Sequence, residues 1–527
     1  MQVVARLPLS RHGLLLMRAF RQWSPRRGFS SRPLLVMMAS LVALLVLIGT
    51  LLYQPGAAKR SGEPLVVYCA ASNRGVLEAI RADYEKAYGT PLQIQYGASQ
   101  TLLATLEVAK TGDLYLPADD SYLTIAKKKG LIAEEFQLAQ MQAVVAVAKG
   151  NPKRIEKLAD LLREDVRLAQ ANPDAAAIGK LTRQTLTKTG DWDKLHARTT
   201  VFKTTVNEVA NDVKVGAADA GIVYDAVLHD YPTLQAVAIS ELASTRAHVA
   251  VAVLKSSGQP QAALHLARYL SAEDKGLIKY REFGFQPSQG DPWSERPELT
   301  LYAGSMLRPA IEKTVTEFEA REGVRVTRVY NGCGILVGQM NAGKVPDAYF
   351  ACDSEFMKQV QPLFASPLNV SQNELVILVQ KGNPLGIQSL ADLRKPGLRV
   401  GIGHEKQCAM GWLTQRTFDE TGYKAELMKN VVTQTPTGDM LVNQMQSGSL
   451  DAAVAYISNA AGAGEKLDAI RIQGIPCSIA TQPMAIAKQS QHQQLAQRLM
   501  AAIQAEESRQ RFTSEGFKWI AEGQDRR

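Results

Sequence analysis

The tetrapeptide Lys-Gly-Asn-Pro occurs at 149–152 and again at 381–384, 232 positions later. It is one trace of a much larger copy. At an offset of 234, residues 65–119 align with 299–353 without a gap and match at 12 of 55 positions. At an offset of 232, residues 149–190 align with 381–422 and match at 17 of 42. "DAGIVY" at 219–224 answers "DAAVAY" at 451–456. A near-constant register over this length means that whatever one half folds into, the other folds into as well. The copies are residues 64–288 and 298–521, and the proline- and charge-rich stretch 289–297 joins them.

Each copy reads as alternating strands and helices. "LVVYCAA" and "LTLYAGS" are short apolar runs rich in β-formers, hence buried strands. Val76, Leu77, Ile80 and Tyr84 then recur at helical spacing up to Gly89. A strand, a small-residue turn, a helix and another strand ("DLYLPAD" or "DAYFACD") follow. A long apolar strand, "AVVAVAKGNP" or "ELVILVQKGNP", precedes a second series of the same kind. Such alternation implies α/β architecture. The expectation is two tandem units, each with two lobes of mostly parallel sheet flanked by helices. KGNP then falls at a turn after the chain crosses between lobes.

The formal charge of +9 is misleading as a total. Arg6, Arg11, Arg18, Arg21, Arg26, Arg27 and Arg32 lie in an acid-free tail of 33 residues, leaving +2 for the other 494. No nucleic-acid partner is expected on that basis. Leu34–Tyr53 follows, twenty uncharged and mostly apolar residues. As a helix it spans about 30 Å, the thickness of a bilayer core. The expected arrangement is a cytoplasmic tail at 1–33 and a single-pass transmembrane helix at 34–53. The bulk is then periplasmic or extracellular. A cleaved signal is the alternative. Enzyme signatures such as G-x-S-x-G, a Walker loop, H-E-x-x-H or C-x-x-C are missing from the sequence, and the seven histidines have no metal-ligand spacing. Neither catalysis, nor a cofactor, nor a resident metal is expected.

In open α/β sheets, ligands sit beyond the carboxyl ends of strands, where helix N-termini point. The loops there are "AASN" (70–73), "YGASQT" (96–101), "NPDAAAIG" (172–179) and "TTVNE" (204–208). They are small or hydroxylic and poor in Lys, Arg and His. Ser72 and Ser99 are placed as N-caps of the following helices. Backbone N–H groups, serine hydroxyls and helix dipoles together suit a dehydrated anion that needs no counter-charge. Tyr224 and Tyr456 each end an apolar strand and serve either as cleft donors or as half-buried core.

These residues resemble the periplasmic molybdate-binding proteins of ABC transporters and, more broadly, the type 2 periplasmic binding fold. The resemblance covers nearly everything after residue 64. It rests on Ala70-Ala71-Ser72, on Gly97 to Leu102, on Asp113-Leu114-Tyr115 and Ala118-Asp119, on Asn172-Pro173 with Ala177-Ile178-Gly179, and on Gly221-Ile222-Val223-Tyr224. It implies an oxyanion ligand, hinge closure and delivery to an ABC permease. Ser72, Ser99, Ala177, Val206 and Tyr224 are its implied ligand-binding residues in the first unit.

In the second unit the equivalents are Ser305, Cys333, Ala409, Gly438 and Tyr456. That unit departs from the pattern. Ser305 comes one place early, Cys333 stands opposite Ser99, and Cys408 lies in the third loop, with Cys352 at a nearby strand end. Two readings stand: small apolar fillers or a disulfide, or thiols offered to a soft metal. Sulfate, phosphate or an organic anion are alternative ligands, and a sensor or adaptor ectodomain is an alternative role.

Overall fold

The structure, a computed structural model, describes residues 63–461 and 463–521. The expected transmembrane helix at 34–53 lies outside them. Among the described residues no helix is long and apolar enough to cross a membrane.

In the first unit the strands are β1 (Leu65–Ala70), β2 (Leu92–Gly97), β3 (Leu114–Leu116), β4 (Ile132–Ala148), β5 (Leu168–Ala171), β6 (Thr199–Lys203), β7 (Ala220–Tyr224), β8 (Leu234–Val237), β9 (Arg246–Leu254) and β10 (Gln286–Pro287). Their order is β2-β1-β3-β9-β4-β7-β5-β6, with β8 and β10 also on β4. The second unit repeats this with β11 (Glu298–Gly304), β12 (Arg325–Asn331), β13 (Ala348–Phe350), β14 (Leu368–Gln380), β15 (Val400–Gly403), β16 (Val431–Thr435), β17 (Ala452–Tyr456), β18 (Leu467–Arg471), β19 (Ile479–Ile486) and β20 (Lys518–Trp519). Each unit has its own apolar core, Leu65 to Phe285 and Leu299 to Phe517. The helix read from Val76, Leu77, Ile80 and Tyr84 spans Arg74–Tyr88, buries those four residues, and ends on Gly89 at φ 63°.

The sheets are mixed, not mostly parallel. Parallel pairing holds at the outer strands, β2-β1-β3 and β6-β5-β7. The middle, β3-β9-β4-β7, is antiparallel. The cause is β4, whose first part pairs with β9 through Gln142 and whose last part pairs with β7 from Ala143. It therefore belongs to both lobes. Strand β9 carries the chain back without a crossover helix, and such a strand pairs antiparallel. In the second unit β14 changes partner between Glu374 and Leu375.

KGNP ends the crossing strand in both units. Asn151 and Asn383 adopt φ 47°, a left-handed conformation that asparagine tolerates. Each side chain holds the turn twice. Asn151 Nδ2 donates to the Ile155 carbonyl at 2.8 Å and Oδ1 accepts from Ile155 N at 2.9 Å. Asn383 does the same with Ile387 at 2.7 and 3.0 Å. The motif is a turn lock, away from either cleft.

The described residues cluster as one compact body, and the two units meet through their first lobes. Glu322, 2% exposed, pairs with Arg498 of its own unit (2.7 and 3.2 Å) and with Arg268 of the other. Arg268 also donates to the Glu322 carbonyl. Arg498 stacks over Phe136 of the first unit at 4.2 Å, and Arg321 pairs with Glu134. The joining stretch is packed rather than loose: Asp291 accepts from Gln494 N and Leu495 N, both at 2.9 Å, at the start of the helix Gln493–Gln504.

Candidate functional site

Four chain segments converge in the first unit. Beyond β1 the chain makes a 3-10 turn, Ala71–Asn73, and beyond β2 the helix Ser99–Ala109 begins. From the second lobe come the starts of helices Ala177–Thr189 and Val206–Lys214. The cleft between them is lined by Ala70, Ala71, Ser72, Gly97, Ala98, Ser99, Ala118, Ala176, Ala177, Ile178, Thr205, Val206 and Tyr224. Thus Ser72, Ser99, Ala177, Val206 and Tyr224 share one cavity. It leaves about 20 Å³ for the centres of water-sized atoms. A single water needs roughly 10–15 Å³ by that measure, so the closed cleft takes one small occupant.

The serines are not N-caps, contrary to the sequence expectation. The cap of the helix Ser99–Ala109 is Ala98, that of Ala177–Thr189 is Ala176, and the turn after β1 starts from Ala70. Alanine offers no side-chain acceptor, so the first N–H groups at these three starts have no side-chain cap. Only the fourth helix is conventionally closed, by Thr205 and Glu208. The serines act one step further in. Ser99 Oγ accepts from Ala118 N at 3.1 Å, which leaves its O–H to donate. Ser72 Oγ is buried with no partner. Tyr224, fully buried at the lobe crossing opposite Ala143, also has an unpartnered hydroxyl. Burial, then the nearby Asp119 and Tyr122, hold its phenol well above the usual range, so it remains a neutral donor. Asp119 is occupied, accepting from Ser121 N and His248 N. The lining carries donors, helix dipoles and no formal charge. Sequence reasoning missed Ala118 and Ala176, whose small side chains leave the space.

The two lobes touch across this cleft. Gln100 N donates to the Ala175 carbonyl at 3.1 Å, and Lys180 reaches Ser121 Oγ at 3.1 Å and lies over the Tyr122 ring. The second unit repeats the first contact at the same register, Gly334 N to the Gln407 carbonyl at 3.1 Å, and replaces the latch by Phe356 against Trp412. Gly334 is required there, because a Cβ would stand 1.9 Å from the Lys406 carbonyl oxygen of the facing lobe. Gly334→Ala is therefore expected to keep the second cleft from closing. Amide exchange at position 334 should speed on the order of tenfold or more, while Gln100 in the first unit is unchanged. Unaltered exchange would contradict closure at this contact.

In the second unit Cys333, Ala409 and Gly438 begin three helices, and Tyr456 ends β17. Tyr456 is buried with an unpartnered hydroxyl, like Tyr224. Ser305 begins the 3-10 turn after β11 and so stands opposite Ala71; the residue opposite Ser72 is Met306. Cys333 Sγ lies 2.7 Å from Cys352 Sγ, and all five cysteines are free thiols.

The model of the bacterial extracellular solute-binding proteins matches twice, over residues 65–286 and 299–518. The chain belongs to that family. It is a family of binding proteins rather than enzymes, and this solute-binding protein carries it as a tandem pair. It is 28% identical over 225 residues to a putative binding protein of Haemophilus influenzae, covering 42% of this chain and 90% of that one. It is 26% identical over 246 residues to the molybdate-binding protein ModA of Mycobacterium tuberculosis, covering 46% and 92%. Among solved structures, the periplasmic molybdate-binding protein of Azotobacter vinelandii is similar, with 21% identity, a TM-score of 0.39, and coverage of 43% and 100%.

Proposed function

We propose that this is an extracytoplasmic solute-binding protein of an ABC transporter, and that its first cleft captures a molybdate-like tetrahedral oxyanion. The observation that carries the reading is the pair of buried, unpartnered hydroxyls, Ser72 and Tyr224, at a charge-free meeting of four helix starts. A buried donor without a partner costs about 1–3 kcal/mol, and an anion removes that cost at both. Ser99 adds a third hydroxyl, and Ala71, Ala177 and Val206 add backbone N–H groups at helix starts, where a dipole favours negative charge. The name of the mycobacterial relative agrees with this ligand class. Closure of the lobes, with the chain tethered by its apolar segment at 34–53, would present the loaded cleft to a permease.

Calorimetric titration tests the reading. Molybdate and tungstate should each bind with the heat of a defined site. Phosphate should not match them: at neutral pH it carries a proton, and the lining offers no carboxylate or imidazole to accept it. One unmade buried hydrogen bond corresponds to about 10- to 100-fold weaker binding. No heat with any oxyanion, or phosphate binding as tightly as molybdate, would remove the proposal.

A further inference from the structure

The repeat register carries the first cleft onto the second position by position. Each of the thirteen lining residues of the first unit has a counterpart in the second. Five of the changes bring in sulfur, and two others, Ala71 to Ser305 and Gly97 to Asn331, bring in polar side chains. Ser99, Ala118 and Ala176 become Cys333, Cys352 and Cys408, while Ser72 and Ile178 become Met306 and Met410. Three of the chain's five cysteines therefore fall on these thirteen positions. Both serine hydroxyls that serve the first cleft are gone, and a thiol is a poor substitute donor. Filling space does not require sulfur, because the first unit meets the same backbone with alanine at two of the three sites.

We infer that the second cleft is a thiol cup for a soft, thiophilic metal ion of the monovalent copper class, held by Cys333, Cys352 and Cys408. Thiolate and thioether ligands select such ions over hard cations. The sulfurs are neighbours: Cys333 Sγ is 2.7 Å from Cys352 Sγ, and Cys352 N donates to Cys333 Sγ at 3.1 Å. A Cβ on Gly304 would lie 1.9 Å from Cys352 Sγ, so the β11 end is cut back to admit the sulfur. Cys408 comes from the other lobe, as the N-cap of the helix Ala409–Thr421. A helix N-terminus favours the thiolate that a metal requires. Burial opposes this by disfavouring the charged form. The ion must therefore displace the protons. Each copper–sulfur bond replaces an S–H bond and releases one proton to solvent, with no electron transferred. Among the described residues no three His, Cys, Asp or Glu side chains are placed to hold a metal ion. With bonds of about 2.3 Å, two thiolates on one ion stand roughly 3.5–4 Å apart, so Cys333 and Cys352 must separate by a side-chain rotation.

The inference rests on the second cleft being a solute site of the same architecture, and the first cleft provides the internal control. The reduced full chain in detergent, titrated with Cu(I) against a chromophoric copper(I) chelator, should bind one equivalent. Combined Cys333→Ser, Cys352→Ser and Cys408→Ser should weaken this at least 100-fold, whereas Cys477→Ser leaves it unchanged. Molybdate binding by the first cleft should persist in the triple variant, reporting that the protein is folded. If it does not persist, Cys408→Ser alone takes the place of the triple variant, since serine is accepted at an N-cap. Undiminished copper binding in the cysteine variants would overturn the inference. So would an absence of copper binding, a second molybdate equivalent that survives Tyr224→Phe, or a Cys333–Cys352 disulfide that persists under reducing preparation.

Discussion

Glu322→Gln should destabilise the paired units by about 3–5 kcal/mol, the cost of leaving buried charge uncompensated. Glu322 is the only acid of the triad it forms with Arg268 and Arg498, whose side chains are 9% and 12% exposed. Burial already works against the Arg268 guanidinium, with Glu322 as the chief opposing influence. The amide keeps the shape but removes the countercharge, and two arginines then face each other across the unit boundary. Denaturant unfolding should show the midpoint falling, by on the order of 10 °C in the thermal equivalent. The control separates charge from shape. Replacing all three, Arg268→Met, Glu322→Leu and Arg498→Met, removes the charges together and should recover most of the loss. A single Glu322→Gln variant as stable as the parent would mean that the boundary is held by other contacts.

Tyr224→Phe should move stability and affinity in opposite directions. The phenol is fully buried and its hydroxyl has no partner. Phenylalanine keeps the ring and removes a desolvated donor, so the ligand-free protein should gain about 1–2 kcal/mol. The same change removes a hydrogen bond to a charged ligand, worth about 1.5–3 kcal/mol, or roughly 10- to 100-fold in the dissociation constant for molybdate. A residue that merely packs would lose stability and leave affinity alone. Ser72→Ala should repeat the pattern with a smaller stability gain. Affinity untouched by either variant would take both residues out of the site.

Much of this architecture was legible because it is written twice. The duplication shows in two separate apolar cores, and helical spacing marked the segment Arg74–Tyr88 with its four buried positions. Two features were not legible. Strand alternation suggested parallel sheets, but the pairing of β4 depends on its passing through both lobes, and nothing local in its apolar run distinguishes its two halves. Serine before a helix also reads as a cap, whereas Ala70 and Ala98 hold the cap positions and the hydroxyls of Ser72 and Ser99 line the cleft. Ala118 and Ala176 carry no chemistry of their own. They become visible only through their sulfur-bearing counterparts at the same register, Cys352 and Cys408.

The boundary between the units also limits how a partner can grip this molecule. The contacts across it come from first lobes: the helix Pro260–Ser271 and β4 on one side, and the helices Arg308–Glu322 and Gln493–Gln504 on the other. Those faces are spent on each other. The second lobes take no part in those contacts, so closure of either cleft need not break them. Anything that distinguishes a full cleft from an empty one must do so at the rims of the cleft mouths.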